Sequence, residues 1–60
     1  MYKYEVNIKV YMEKNRSEEV IITVEAGNKK LAAIRALLEI NKNPKYKDLY
    51  KNVEEVKITA

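Results

Sequence analysis

The residues best suited to chemistry lie in one basic segment in which lysines are interleaved with tyrosines. Its members are Lys42, Lys45, Tyr46, Lys47, Tyr50 and Lys51. Ammonium groups neutralise phosphates and tyrosine rings stack on bases, so this composition is typical of proteins that bind single-stranded nucleic acid. The same residues also fit a short amphipathic helix whose tyrosines face the core and whose lysines are solvated. We favour this second interpretation of the segment.

A second candidate is the start of the predicted main helix, where Gly27 and Asn28 precede Lys29 and Lys30. Free backbone N–H groups at a helix start, together with two ammonium groups, can bind a phosphate or a carboxylate. The alternative is an ordinary turn followed by an Asn N-cap. Because a phosphate-binding loop needs several glycines and the chain has one, we favour the turn and cap.

Catalytic and metal chemistry finds little support in the composition. The chain has no cysteine and no histidine, so neither a zinc site of the usual kind nor a Cys/His pair can be built. Two pairs of adjacent acids, Glu18 with Glu19 and Glu54 with Glu55, lie in or beside predicted strands. Because neighbouring side chains on a strand point to opposite faces, neither pair brings two carboxylates to one point. Ser17 has no base to activate it. We therefore predict a protein without catalytic activity and without a cofactor.

Two predicted strands provide the framework for these residues. From Tyr2 to Glu13 the apolar side chains fall on even positions and the polar ones on odd positions, with Tyr11 as the exception. A period of two indicates a strand with one buried face and one solvated face. A polar turn at 14–17 leads to a second β-branched strand from Glu19 to Glu25, which predicts an antiparallel hairpin. Tyr11, on the solvated face, is a candidate interface anchor.

The main helix is predicted from Lys29 to Ile40, and it is apolar on two sides. One side is expected to pack on the sheet; its residues are Leu31, Ile34, Leu37 and Leu38. The other side has small side chains, which predict contact with a lid or with a second subunit. A dimer contact is assigned to Ala32, Ala36 and Ile40, with a strand edge paired across a two-fold axis as the alternative. A helix that is apolar over such a wide arc needs a second partner.

After the helix, Asn43 and Pro44 favour a stop and a restart, so a short helix is predicted from Pro44 to Lys51. Its apolar face would carry Tyr46, Leu49 and Tyr50. A last strand follows from Val53 to Thr59.

The predicted fold class is therefore α+β, with elements in the order β-β-α-(short α)-β in a single domain, residues 1–60. Because a β-α-β crossover is right-handed in nearly all proteins, the third strand is expected beside the first, in strand order 2-1-3. The predicted core consists of Val6, Ile8, Val10, Val20, Ile22, Val24, Leu31, Ile34, Leu38, Val56 and Ile58.

Length and charge limit the possible functions. A chain of 60 residues forms one small core, and domains of this size often rely on oligomerisation; we expect a homodimer. The net charge is +3, and residues 26–51 hold seven basic and two acidic groups. Such asymmetry bears on partners and not on the fold.

The absence of a long apolar run predicts a protein that does not cross a membrane and acts in the cytoplasm.

The order of elements, the small size and a residue usage rich in Lys, Asn, Ile, Tyr and Glu resemble small early proteins of phages and prophages. These include uracil-DNA glycosylase inhibitors and several anti-CRISPR proteins. The resemblance covers the whole chain and implies a binding protein that inhibits a host or defence enzyme in the host cytoplasm. Inhibitors that mimic DNA are acidic, and this chain is basic, so the resemblance does not extend to DNA mimicry.

A second resemblance is to a small archaeal ribosomal protein. It rests on Val24, Glu25 and Ala26 before the helix and on the final strand from Val53, and it implies binding to ribosomal RNA.

Taken together, these features predict a non-catalytic binding protein that occupies an acidic protein or enzyme surface. The alternative is an RNA- or DNA-binding protein that uses the basic residues 26–51.

Overall fold

Over residues 1–59 the chain folds into a three-stranded antiparallel sheet with one helix on one face, which confirms the predicted α+β class. A computed structural model describes residues 1–59. The elements are β1 (Tyr2–Tyr11), β2 (Ser17–Ala26), α1 (Lys29–Ile40) and β3 (Tyr50–Ile58). The strand order is β2-β1-β3, as predicted from the handedness of the crossover. The strand whose alternation is clearest in the sequence, β1, therefore lies at the centre.

The β1–β2 hairpin has the predicted register, in which even-numbered residues of both strands share the core face. Val6 lies opposite Ile22, and Ile8 lies opposite Val20. The connecting turn has positive φ angles at Lys14 (59°) and Asn15 (60°). Positive φ at both central residues matches the right-handed twist of paired strands, which is why such turns connect hairpins.

The β3 strand contains a bulge that the sequence pattern does not reveal. Asn7 of β1 lies opposite Glu55, and the next residue, Ile8, lies opposite Val53. Glu54 is therefore the extra residue on β3. Because one residue is skipped, Val53 and Val56 both face the core although their numbers differ in parity.

The two sides of α1 have the opposite roles to those predicted. Ala32, Ala36 and Ile40 are buried against the sheet, so the predicted dimer contact is wrong: these side chains are part of the core of the monomer. Alanines spaced by four residues form a low ridge that lets the helix approach the sheet closely. The predicted core residues Leu31, Ile34 and Leu38 lie on the outer side of the helix and are exposed, and so is Ile58 of β3.

Residues 41–49 form a series of turns instead of the predicted second α-helix. The backbone N–H groups of Tyr46 and Lys47 both donate to Asn43 O, at 3.0 and 3.1 Å, and Leu49 N donates to Tyr46 O at 3.1 Å. The Asn43 side chain also accepts from Lys45 N at 3.0 Å. Tyr46 and Leu49, which belong to the predicted apolar face, still pack against the core, although not from a helix.

Candidate binding surfaces

The basic segment does not present its tyrosines and lysines as one surface. The Tyr46 hydroxyl donates to the Glu18 carboxylate on β2, and Lys45 Nζ lies 3.4 Å from the same carboxylate. The hydroxyl of Tyr46, and then the ammonium of Lys45, hold the pKa of Glu18 below its ordinary value. One ring of the segment is therefore turned inward and half-buried, and is unsuited to stacking on a base.

Two further lysines of the segment are also bound within the chain. Lys42 Nζ lies 3.1 Å from a carboxylate oxygen of Glu39. Lys51 Nζ donates to the carbonyl oxygens of Lys47 and Leu49, at 3.2 and 2.7 Å. These ammonium groups stabilise turns and have less freedom to neutralise phosphates. We favour the interpretation that these lysines belong to a structural segment and not to a nucleic-acid site. This geometry fits that interpretation, although the segment is not helical.

Replacing Tyr46 with phenylalanine is expected to raise the pKa of Glu18 towards its ordinary value, because the largest cause of the lowering is the tyrosine hydroxyl. A carboxyl group whose pKa is lowered by folding stabilises the folded state. This contribution is present at pH values above the unfolded pKa of 4.5, and it is lost as the pH falls through the pKa of the folded state. Unfolding of the variant should thus depend less on pH in this acidic range. NMR titration of the Glu18 carboxyl carbon measures the shift, and Tyr50→Phe, which leaves the bond intact, is the control.

The helix start has the geometry of an ordinary N-cap. The Asn28 side chain accepts from Leu31 N at 2.9 Å, and the first turn has no acidic residue. Lys29 and Lys30 are exposed. Since the cap already uses the Asn28 oxygen, the predicted turn and cap agree with the structure, and the two lysines contribute positive charge to the end of the helix.

One exposed apolar feature is the outer face of α1, which we define as Leu31, Ile34 and Leu38. Their side chains are 42%, 47% and 63% exposed. They lie at i, i+3 and i+7, so they form one stripe on the side of the helix opposite the sheet. Sequence reasoning missed this surface because it assigned the larger side chains to the core. The regular spacing of Ala32, Ala36 and Ile40 was the signal that could have found it.

A second exposed feature is an aromatic pair on the sheet face that lacks a helix. Tyr11 of β1 and Tyr50 of β3 lie opposite each other, with ring centroids 5.5 Å apart. They are 39% and 72% exposed, and Lys9 Nζ lies 5.3 Å from the centre of the Tyr11 ring. The predicted position of Tyr50 on the buried face of a short helix is wrong: Tyr50 is the first residue of β3, and the bulge in that strand places it on the outer face.

A third feature is a groove between the free edge of β2 and α1, with a volume of about 700 Å³. Its strand wall includes Thr23 and Val24, and its helix wall includes Arg35 and Leu38. Arg35 donates to the backbone oxygen of Glu25 at 2.7 Å. Both backbone and apolar side chains are thus accessible along this edge.

Comparisons with protein-family models, with curated proteins and with solved structures find no match to this chain. Within residues 1–59, no helix has the length and apolar character needed to cross a membrane.

Proposed function

We propose that this chain is a non-catalytic, cytoplasmic binding protein that occupies a surface of another protein through the outer face of α1. The exposed stripe of Leu31, Ile34 and Leu38 supports the proposal. Small domains rarely leave large aliphatic side chains together on one helix face without a partner. This mode of action is that of the phage and prophage inhibitors that the order of elements resembles.

The spacing of the stripe suits a helix that docks in a groove. Aliphatic anchors at i, i+3 and i+7 enter successive pockets of an apolar cleft, as amphipathic helices do in many complexes. The helix is already ordered, because Ala32, Ala36 and Ile40 hold it on the sheet. Binding therefore incurs little additional ordering entropy, which favours affinity for a given contact area.

The charges near the outer face suggest the chemistry of the partner. Between residues 29 and 42 the basic side chains are Lys29, Lys30, Arg35 and Lys42, and the acidic one is Glu39. The excess of positive charge suits a cleft with an acidic rim, since complementary charge speeds association and disfavours wrong partners. An acidic enzyme surface has this character.

A second candidate function is binding of single-stranded nucleic acid on the opposite side of the molecule. The observation that favours it is the exposed pair of Tyr11 and Tyr50 on adjacent strands, with the Lys9 ammonium beside them. Aromatic rings on a sheet face stack on bases, and a nearby cation attracts phosphate. This candidate places nucleic-acid binding on the outer face of the sheet instead of on the basic segment.

The test of the proposed function compares a helix-face variant, Ile34→Ser with Leu38→Ser, with a matched control, Ile58→Ser. Ile58 is as exposed as Ile34 but lies on β3. Partners are crosslinked in the native host, purified and titrated against all three proteins. Loss of two aliphatic anchors is expected to weaken binding by about tenfold or more for each anchor, and the control should bind like the unmodified protein.

Two outcomes would contradict the proposal. A purified partner that binds the helix-face variant as tightly as the unmodified protein would remove the role of α1. A single-stranded oligonucleotide that binds the unmodified protein, with an affinity that falls steeply with salt and is lost in Tyr50→Ala, would support the nucleic-acid candidate instead.

A further inference from the structure

We propose that the free edge of β2 binds β2 of a second copy of this chain, so that two sheets join into one six-stranded antiparallel sheet around a two-fold axis. This assembly goes beyond the proposed function and uses a different surface from the outer face of α1. It replaces the predicted helix-to-helix contact, whose residues are buried in the monomer.

Except for the Glu25 carbonyl, which Arg35 binds, the backbone along this edge is free to pair. The carbonyl of Lys3 in β1 accepts from Thr59 on the β3 side, so the N–H and C=O groups of odd-numbered β1 residues point away from β2. Their partners on β2, including Ile21 and Thr23, therefore direct their own backbone groups outward. The Glu25 carbonyl, bound by Arg35, has the same orientation. Such an edge is a template for another strand.

The charge of β2 suits pairing with a second copy beside the groove. The β2 strand Ser17–Ala26 contains three glutamates and no basic residue, and its centre is β-branched. The helix wall of the groove contributes the cation of Arg35, whereas Lys42, which also lines the groove, is paired with Glu39 at 3.1 Å. An incoming strand that is apolar in the middle and acidic towards its ends fits beside Arg35, and β2 itself is such a strand.

One register satisfies the two-fold axis with the fewest conflicts. If Ile21 lies opposite its own copy, Glu19 lies opposite Thr23, and Ser17 lies opposite Glu25. No glutamate then faces a glutamate, a pairing that would be destabilising. The exposed side chain of Ile21 is covered by its counterpart. Glu18 of the second copy lies opposite Val24, on the side of the sheet where Arg35 lines the groove.

The first test measures mass by sedimentation equilibrium for the unmodified protein and for Thr23→Pro. Proline lacks an N–H, and at an outward-facing position of an edge strand it leaves the β1–β2 ladder intact. The unmodified protein is expected at twice 7.0 kDa in the micromolar range, and Thr23→Pro at 7.0 kDa. Ile21→Lys, which places like charges together on the axis, should also give a monomer, whereas Ile34→Lys on the outer face of α1 should remain a dimer.

The second test is amide hydrogen exchange, which does not depend on a variant that folds. In the dimer the amides of Ile21 and Thr23 are expected to exchange on the order of tenfold or more slowly as the protein concentration rises through the dissociation constant. A monomeric mass at all concentrations, or free exchange at both amides in a dimer, would overturn the proposal. Loss of the dimer in Ile34→Lys with retention in Ile21→Lys would assign the contact to the helix instead.

Discussion

Replacing Ala36 with glutamate is expected to unfold the protein. Ala36 is fully buried between α1 and the sheet, and a carboxylate there would have neither space nor a partner. Burying an unpaired charge costs several kcal/mol, and a domain of this size has a total stability of roughly 3 to 9 kcal/mol. Circular dichroism and urea titration measure the loss, which should leave little folded protein at neutral pH.

The matched control is Leu38→Glu, two residues along the same helix on its exposed face. It should change the free energy of unfolding by less than about 0.5 kcal/mol, as surface substitutions usually do. If Ala36→Glu gave a folded protein, the helix would pack on the sheet through its other side, and the assignment of the two faces would be wrong.

Ile8→Ala is expected to be the most damaging truncation in the sheet. Ile8 has no exposed surface and lies in the central strand, opposite Val20 on one side and Val53 on the other. Truncating a buried isoleucine removes apolar contacts and leaves a cavity, at a cost of about 2 to 5 kcal/mol. Urea unfolding monitored by circular dichroism measures this loss in the free energy of unfolding.

Lys9→Ala provides the comparison, because Lys9 is the next residue on β1 and points to the opposite face of the sheet. Lys9→Ala should change the free energy of unfolding by less than about 0.5 kcal/mol. Similar losses at the two positions would show that the faces of β1 are misassigned.

The strands could be predicted because their alternation has only one physical solution. With period two, the even residues of β1 and β2 must share a face, and one face must be buried. This reasoning identified Val6, Ile8 and Val10 as core residues, and each is fully buried. The strand order followed from the handedness of the crossover, which depends on chain geometry and not on particular side chains.

The helix orientation could not be predicted in the same way, because α1 is apolar on two sides and a helical wheel does not say which side meets the sheet. Side-chain size favoured Leu31, Ile34 and Leu38, but close approach favoured the small residues. The bulge at Glu54 likewise leaves no mark on the pattern. Tyr50 was misplaced because the predicted helix at 44–51 delayed the start of β3 to Val53, and the extra residue then decides which face of the strand Tyr50 occupies.

The bulge also means that the surface around Tyr50 depends on the number of residues in β3 and not only on their identity. Val56 lies opposite Val6 and Val53 opposite Ile8, so the strand reverses its parity between these two pairs. Deleting Glu54 would restore simple alternation and leave Tyr50 opposite Tyr11, because Glu54 is the residue without a partner on β1. Inserting one residue between Tyr50 and Lys51 would instead turn Tyr50 towards the helix side of the sheet. A change of one codon in length at that point would therefore abolish the aromatic pair while the core side chains of the strand stay in place.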